Sequence, residues 1–332
     1  MISYIWTPGK DYATQKLFYI LTLVLWAFVA PILVISRDPE RVKRLAVLII
    51  LFSILVSIEA LRQFFIFNKT GFISVMGSNY LALGRLMSIA TIISLAYVLF
   101  WAKKWSYVVL GLGLFLYFFW IILIAGGRGP LIGTIIGCIT PLIFSINLRR
   151  DKVILQRFTI LLFIILIIGF ICLVYIWYTD KVTQTLARLK VLLMPGMGDS
   201  ARLRLEYYNI SFRMWMEKPL LGHGIGSFPL FQSGYDTRGY PHNILLEILA
   251  ELGIIGLILF IGMFFYSLFI FMRREPIRRN PVKLLLIMIL IVISFNAMVS
   301  GDITDNRLLF SNLGLLPAAN EFFCNVKDKK YD

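Results

Sequence analysis

Charged residues are scarce in this chain: they make up 15% of its 332 residues, whereas apolar residues make up 59%. A soluble domain has about 25% charged residues, so this composition excludes an ordinary water-soluble globular protein. Several apolar runs of about 20 residues are long enough to cross a bilayer. The sequence therefore predicts an all-α polytopic membrane protein, in which the lipid solvates most of the apolar side chains.

Cysteine and histidine are also rare, with three and two residues respectively. The cysteines (Cys138, Cys172 and Cys324) lie in or beside apolar runs and lack metal-ligand spacing. This pattern excludes a disulfide framework and a zinc site. The two histidines, His223 and His242, both fall in the one long water-compatible segment, which indicates a site there.

Acidic residues are outnumbered, 18 against 33 basic residues, and the net charge is +15. Most lysines and arginines stand in short tracts between apolar runs, which is the pattern that keeps loops on the cytoplasmic side of a membrane. The charge therefore indicates membrane topology and no nucleic-acid partner. The first apolar run lacks a small-residue cleavage pattern, so no cleavable signal peptide is predicted.

The sequence predicts about nine transmembrane helices within a single membrane domain, residues 1–332. The predicted spans lie at 15–36, 44–67, 80–101, 107–126, 129–147, 154–178, 243–272, 283–300 and, more weakly, 308–324. The basic tracts alternate with these spans and predict an extracytoplasmic N-terminus. Residues 179–242 then form one large extracytoplasmic loop. We find no internal repeat and no soluble domain.

Part of that loop carries a helical pattern from Asp199 to Glu217. Polar residues recur at helical spacing on one face and apolar residues on another, while Pro219 and Gly222 end the pattern. We predict an amphipathic helix that lies at the membrane surface.

Arg128 opens the fifth predicted span, in the segment Gly126-Gly127-Arg128-Gly129-Pro130. A permanently charged guanidinium among glycine amides suits a phosphate, which arginine can bind through two parallel hydrogen bonds. The alternative is an arginine whose side chain reaches the lipid headgroups.

Arg202 and Arg204 lie near the start of the amphipathic helix. Residues two apart point in different directions, so we expect one of them to enter a site. The alternative is a basic helix face on anionic lipid. Arg85, in the third predicted span, and the last outer loop with Asp302, Asp305 and Arg307 are predicted to add polar lining.

His242 stands at the start of the seventh predicted span, before a stripe formed by Asn243, Glu247 and Glu251. A histidine can accept a proton near neutral pH, so we predict His242 as a general base. Asn243 and Glu247 are predicted to face the substrate. For the glutamates, pairing with arginines of neighbouring helices is the structural alternative, because carboxylates at that depth need a partner.

Four blocks of sequence resemble the superfamily of O-antigen ligases and Wzy-type O-antigen polymerases. The blocks are Gly127-Arg128-Gly129, the arginine-bearing helix from Arg202 to Trp215, the run from Lys218 to Phe228, and the run from His242 to Gly256. The third block reads KPLLGHGIGSF and the fourth reads HNILLEILAELGIIG. Gly127 replaces the serine that usually precedes the arginine.

The resemblance implies a GT-C-type membrane glycosyltransferase on the outer face of the bacterial cytoplasmic membrane. Members transfer a glycan from undecaprenyl diphosphate to an acceptor hydroxyl without a metal, nucleotide sugar or other cofactor. The resemblance maps the pyrophosphate-binding arginines to Arg128 and to Arg202, with Arg204 as the alternative to Arg202, and the essential histidine to His242. On opposite sides of the sugar, these residues would stabilise the diphosphate and activate the acceptor.

The implied partners are the lipid-linked glycan, an acceptor glycan or lipid, membrane lipids and other proteins of polysaccharide assembly. We expect a polymerase that acts on O-antigen or capsule repeat units. The open alternative is a ligase that transfers the glycan to a lipid-A core or to protein. A lipid-linked oligosaccharide flippase is the rival from another class, but such transporters usually have internal repeats and sites near the bilayer midplane.

Overall fold

The computed structural model describes residues 2–35, 38–69, 72–145, 147–149, 152–154, 184–193, 198–273 and 280–328, with isolated positions between 167 and 174. Its helices are α1 (Asp11–Ile35), α2 (Pro39–Phe65), α3 (Tyr80–Phe100), α4 (Trp105–Ala125), α5 (Arg128–Ser145), α6 (Gln184–Leu193), α7 (Asp199–Glu217), α8 (Phe228–Ser233), α9 (Ile244–Met272), α10 (Pro281–Val299) and α11 (Arg307–Asp328). Helix α1 contains two π-helical turns, Ile20–Val24 and Pro31–Ile35.

The predicted class, an all-α polytopic membrane protein, is confirmed. Six helices are long and apolar enough to cross a membrane, namely α1, α2, α3, α4, α9 and α10. Helix α5 is apolar but shorter, and the predicted span 154–178 lies outside the described residues apart from isolated positions. The exact number of spans therefore stays a prediction. One short antiparallel hairpin, β1 (Asn147–Arg149) and β2 (Lys152–Ile154), follows α5.

Two of the predicted boundaries are met closely. The amphipathic helix α7 runs from Asp199 to Glu217 as predicted, with its polar face exposed and Met214 buried on the other face. Its N-cap is Gly198. Helix α9 begins at Ile244, where the side chain of Asn243 caps it by accepting from two backbone amides.

Helix α9 is interrupted at Gly253, whose φ of 67° and ψ of −168° are not helical. Such a conformation is open to glycine because it has no Cβ. Just before this interruption, the backbone carbonyls of Ala250 and Glu251 accept hydrogen bonds from a neighbouring loop. The apolar pattern of the span gives no sign of this break, since hydropathy does not report backbone dihedrals.

The chain divides into two compact units. The first unit comprises Met1–Val42, Gly196–Arg274 and Ile293–Asp332. In it, α9 packs against α7 and α11, and α11 packs against α1. Helices α1 and α11 approach closely at Gly314, where a Cβ would strike the carbonyl oxygen of Phe28.

The second unit comprises Lys43–Pro195 and Glu275–Val292. In it, α3 packs against α4 and α5, and α6 packs against α4 and α5. Glycines allow two close approaches in this unit. A Cβ on Gly84 of α3 would lie 2.7 Å from Cγ of Pro130 in α5, and one on Gly137 of α5 would lie 2.5 Å from Cγ2 of Val292 in α10. Gly137 therefore serves helix packing, as expected from the spacing of Gly129, Gly133 and Gly137 along α5. The single membrane domain stays a prediction.

Candidate functional site

The predicted site residues are divided between the two units. The second unit contains Arg85 and Arg128, and the first contains Arg202, Arg204, His242, Asn243 and Glu247. Each group is therefore described by itself. The meeting of Arg128 with His242 at one diphosphate stays a prediction.

His242 stands in a strained backbone conformation between two aromatic rings. Its φ is 62°, in the left-handed region that non-glycine residues seldom adopt. Its ring lies parallel to Tyr207 of α7, with centroids 6.3 Å apart, and edge-on to Tyr240 at 4.6 Å. Strain of this kind persists where surrounding contacts impose it, and it is concentrated at functional sites. Gln232 fixes Tyr207 by donating to its hydroxyl at 3.0 Å.

The segment that carries Gly222, Gly224 and Gly226, here called the glycine loop, is joined to α9 through backbone hydrogen bonds. The amide of His223 donates to the carbonyl of Ala250 at 3.0 Å, and the amide of Gly224 donates to that of Glu251 at 2.8 Å. A Cβ on Gly222 would lie 2.5 Å from the carbonyl carbon of Glu251. The close approach explains why a glycine run accompanies the His242–Gly256 block in the sequence, since larger residues would separate the two chains.

A fully buried charge cluster lies beneath this loop. Nζ of Lys16, on α1, contacts Oε1 of Glu247 at 2.5 Å and Oε2 of Glu251 at 2.7 Å, and all three side chains are 0% exposed. Oε2 of Glu251 also accepts from the amide of Gly226 at 2.9 Å, and Oε1 of Glu247 accepts from that of Ile303 at 3.3 Å. These contacts give both glutamates the structural role kept open above, but their partner is a lysine where arginines were predicted.

Asp302 extends this cluster toward the last loop. Its carboxylate accepts from the hydroxyl of Tyr12 at 2.8 Å and from that of Thr304 at 2.7 Å, and it lies 3.8 Å from Arg238. Burial opposes ionisation, but Lys16, these hydrogen bonds and Arg238 together lower the pKa of Asp302 below its usual value. Asp302 therefore stays charged at neutral pH and holds three segments together.

Arg238 is a residue that sequence reasoning missed. Nη2 of its guanidinium binds both carboxylate oxygens of Asp305 at 2.8 Å. Its charged carbon lies 5.4 Å from the ring centre of Tyr240, the ring that contacts His242. Asp236 accepts from three backbone amides at the start of α1. Asp236, Arg238, Tyr240 and His242 alternate in sequence, and that spacing was the signal available.

Asn243 and His223 have structural contacts. The side-chain oxygen of Asn243 accepts from the amides of Leu245 and Leu246 at 3.0 and 3.1 Å. Nε2 of His223 lies 2.9 Å from the carbonyl oxygen of Met214. Burial lowers the pKa of His223, so its ring is neutral near pH 7. His223 thus ties the loop to α7, as expected for a turn residue.

The first two arginines of α7, Arg202 and Arg204, differ in exposure. Arg202 is 79% exposed and lies 4.0 Å from Glu206. Arg204 is half-buried and lies one turn before Tyr207, on the same face of the helix. Because Tyr207 contacts His242, Arg204 is the arginine on the side of the histidine. Which of the two arginines binds a diphosphate stays a prediction.

In the second unit, Arg128 begins α5, and its guanidinium donates to the carbonyl of Arg188 at 3.1 Å. Arg85 follows Gly84, the glycine that packs on Pro130 of α5. Arg85 and Arg128 therefore lie at the same end of this unit. Among the described residues, no group of three histidine, cysteine or acidic side chains is arranged to hold a metal ion.

An apolar cavity of about 250 Å³ begins beside the first residues of α9. It lies within the first unit, and its lining comes from both halves of α9 and from α10 and α11: Ile244, Leu245, Phe260, Ile261, Phe264, Phe265, Ser294, Ala297, Met298 and Leu309. A cavity of this chemistry accepts hydrocarbon rather than sugar.

Comparison with known proteins agrees with the resemblance predicted from the sequence. Residues 113–261 match the family described as O-antigen ligase. A protein of Rickettsia conorii described as "Putative polysaccharide ligase" is 39% identical over 74 residues, which cover 19% of this chain and 18% of that protein. The chain thus matches less than a fifth of that relative's length.

These matches confirm the recognition of the O-antigen ligase and polymerase superfamily. The matched region contains α5, α7, the glycine loop and the start of α9. The similarity is to a family of enzymes that act on glycans, and the chain is a multi-pass membrane protein.

Proposed function

We propose that this protein is a glycan ligase that transfers a glycan from a lipid diphosphate carrier to the hydroxyl group of an acceptor. The observation that carries the proposal is His242, a strained histidine held between Tyr207 and Tyr240 at the start of α9. Both similarities are to proteins described as ligases. We therefore prefer the ligase over the polymerase that the sequence suggested, with a lipid-A core or a protein as acceptor.

In this proposal, His242 is the general base. One of its ring nitrogens accepts the proton of the acceptor hydroxyl while that oxygen attacks the anomeric carbon of the donor sugar. The new glycosidic bond forms as the bond to the diphosphate oxygen breaks, so a single displacement inverts the anomeric centre. The left-handed backbone of His242 fixes the ring before substrate binds, which lowers the cost of ordering it in the transition state.

The diphosphate leaves with increased negative charge and needs fixed positive charge. In the first unit we assign this task to Arg204, with Arg202 as the more exposed neighbour. The resemblance assigns the same task to Arg128. Arg85 supplies further positive charge at the end of the second unit. Arginine suits the task because its planar fork can bind two phosphate oxygens and does not lose its proton.

The lipid part of the substrates has a natural place in the apolar cavity. That cavity begins at Ile244, two residues after His242, and its lining is hydrocarbon. We propose undecaprenyl diphosphate as the carrier, the bacterial cytoplasmic membrane as the location and the extracytoplasmic face as the side of reaction. The alternating basic tracts support that orientation.

The test compares the only two histidines of the chain. His242→Gln and His223→Gln are purified and incubated with a lipid-diphosphate-linked oligosaccharide and an acceptor, and the products are resolved on a gel. We expect His242→Gln to lose transfer by about a thousandfold, the usual size of a general-base contribution, while His223→Gln keeps most of it. Full transfer by His242→Gln would overturn the assignment.

The products also separate ligase from polymerase. A ligase attaches a preformed glycan once and needs a second class of acceptor. A polymerase produces a ladder of repeat units from the donor alone. A ladder formed without added acceptor contradicts the ligase assignment. A flippase would give a third result. The wild type would move the donor across the bilayer without any transfer, and His242→Gln would move it equally well.

A further inference from the structure

Arg188, on α6, has a reciprocal arrangement with Arg128. Nη1 of Arg188 donates to the carbonyl of Gly126 at 2.7 Å, and Nη1 of Arg128 donates to the carbonyl of Arg188 at 3.1 Å. Thr185 reinforces the contact by accepting from the amide of Gly126 at 2.9 Å and donating to the carbonyl of Ile122 at 3.1 Å. Each guanidinium is therefore anchored on backbone beside the other arginine, and both are held at one end of the second unit.

Two aromatic rings hold the guanidinium of Arg188. Its charged carbon lies 4.6 Å from the ring centre of Phe72 and 5.6 Å from that of Tyr80. The two rings also meet edge-on, with centroids 4.8 Å apart. Phe72 has a φ of 50°, an unusual value for a bulky residue. That conformation places the ring beside a cation, and such contacts orient a guanidinium while leaving its edge available for hydrogen bonds.

Charge balance distinguishes Arg188 from the other ring-contacting arginine of this unit. In the described part of the unit the one carboxylate is Glu59, and Arg62 binds it at 2.6 Å while Gln63 donates to it at 3.0 Å. Arg62 also lies 5.1 Å from the ring centre of Phe67. Among the described residues, no carboxylate lies within ion-pair distance of Arg188. Its charge is thus left for a ligand that brings the negative charge.

We propose that Arg188 and Arg128 form one anion-binding pair for the phosphate groups of a membrane lipid, with Phe72 and Tyr80 orienting the Arg188 guanidinium. The assignment of this anion to the diphosphate of the donor rests on the function proposed above. Arg188 is then a binding residue for the leaving group. Its two donor-bearing edges match phosphate oxygens better than a lysine would.

The test measures binding alone, without an acceptor. Inorganic pyrophosphate and farnesyl diphosphate are titrated by calorimetry into the purified full-length protein in uncharged detergent. Arg188→Gln should bind both probes about tenfold more weakly, the loss expected when one charge-assisted contact to phosphate is removed. The matched control is Arg62→Gln, which removes an arginine that also contacts a ring but already has a carboxylate. Unchanged affinity in Arg188→Gln overturns the proposal.

Two further variants keep the proposal testable if Arg188→Gln does not fold. Arg188→Lys keeps the charge and loses the planar fork, so its affinity should fall by a smaller factor. Phe72→Leu keeps both arginines and removes a ring, and we expect about threefold weaker binding, because the guanidinium is no longer oriented. If both variants bind the probes with wild-type affinity, the proposal that Arg188 and Arg128 form an anion-binding pair is overturned.

The source of the phosphate is decided in nanodiscs made with or without phosphatidylglycerol. Weaker farnesyl diphosphate binding by Arg188→Gln in both lipids supports the donor diphosphate. Loss of phosphatidylglycerol enrichment with intact diphosphate binding overturns that assignment in favour of a headgroup. His242→Gln should bind the probes like wild type. Normal transfer by His242→Gln together with weak binding by Arg188→Gln would reject the proposed function and leave the anion pair standing.

Discussion

The two units use positive charge differently. In the first unit, Lys16 is buried against Glu247 and Glu251, and Arg238 is bound to Asp305. In the second unit, Arg188 contacts rings and a carbonyl oxygen, with no carboxylate among the described residues at ion-pair distance. Cations that already have carboxylates hold segments of the chain together. A cation without one is suited to bind an anion that arrives with the substrate.

The first unit combines fixed backbone with fixed charge around His242. The segment before the histidine is tied to α1 through Asp236 and to the last loop through Arg238, while α9 is tied to α1 through Lys16. Residues outside the matched family region, which ends at 261, supply most of these partners. The position of His242 therefore depends on parts of the chain that carry no recognisable motif.

The largest effect is expected for Lys16→Met, which tests whether the paired cations of the first unit hold its segments together. The change leaves two carboxylates fully buried without their cation, and removing one partner of a buried ion pair costs about 3–5 kcal/mol. We expect a large fall in the apparent Tm in detergent and little folded protein. The exposed Lys10→Met is the control and should unfold like wild type.

The rescue variant separates charge from packing. Glu247→Gln and Glu251→Gln combined with Lys16→Met remove all three charges while keeping similar volumes. Stability should recover in large part, because an uncharged cluster carries no desolvation penalty for an unpaired ion. An apparent Tm for Lys16→Met equal to that of wild type contradicts the structural role of the cluster.

The second prediction concerns Arg204, the counterpart of Arg188 in the first unit. It is half-buried beside Tyr207 and, in the described part of the chain, has no carboxylate at ion-pair distance. If it stabilises the leaving diphosphate, Arg204→Gln should lower kcat by about a hundredfold, the usual loss for one electrostatic donor. Arg202→Gln, which changes a 79% exposed side chain, should lower it by far less. The reverse order would return the role to Arg202.

Sequence reasoning located the elements whose limits depend on local periodicity. The limits of α7 and the start of α9 follow from residue spacing and capping within one turn, so they were predicted closely. The partner of Glu247 is Lys16, 231 residues away, and no local pattern could identify it. The break at Gly253 was missed for another reason, because a single glycine in an apolar run does not disclose its dihedral angles.

The site was predicted less completely than the fold. His242 and Arg128 were selected by their residue types and their places beside predicted spans. Arg238 and Arg188 were not selected, because each is defined by contacts with distant segments, Asp305 and Phe72 respectively. Arginines of this kind carry no sequence signal until the fold brings a carboxylate or a ring to them.

The third prediction treats Arg238 as a positioning residue for His242. Arg238→Met removes the contact with Asp305 and the charge beside Tyr240, so the histidine ring should lose its fixed orientation. We expect kcat to fall by about tenfold with KM nearly unchanged, since a displacement of about 1 Å in a reacting group can cost up to about a hundredfold.

A control with the opposite change in charge distinguishes positioning from a change in net charge. Asp305→Asn also breaks the pair and alters the charge in the opposite direction, and it should reduce kcat by a similar factor. If Arg238→Met weakens pyrophosphate binding and Asp305→Asn does not, Arg238 binds the anion directly, and the contrast between the two units is lost.

The smallest predicted effect comes from His223. Because burial lowers the pKa of His223, the unfolded chain takes up a proton first as the pH falls through about 6.5, and stability decreases there. The apparent Tm of wild type should fall by about 2 °C between about pH 7.5 and about pH 5.5. His223→Gln should remove most of this slope. Equal slopes in wild type and His223→Gln would mean that folding does not change the pKa of His223. The buried contact of His223 with Met214 would then not contribute to holding the loop.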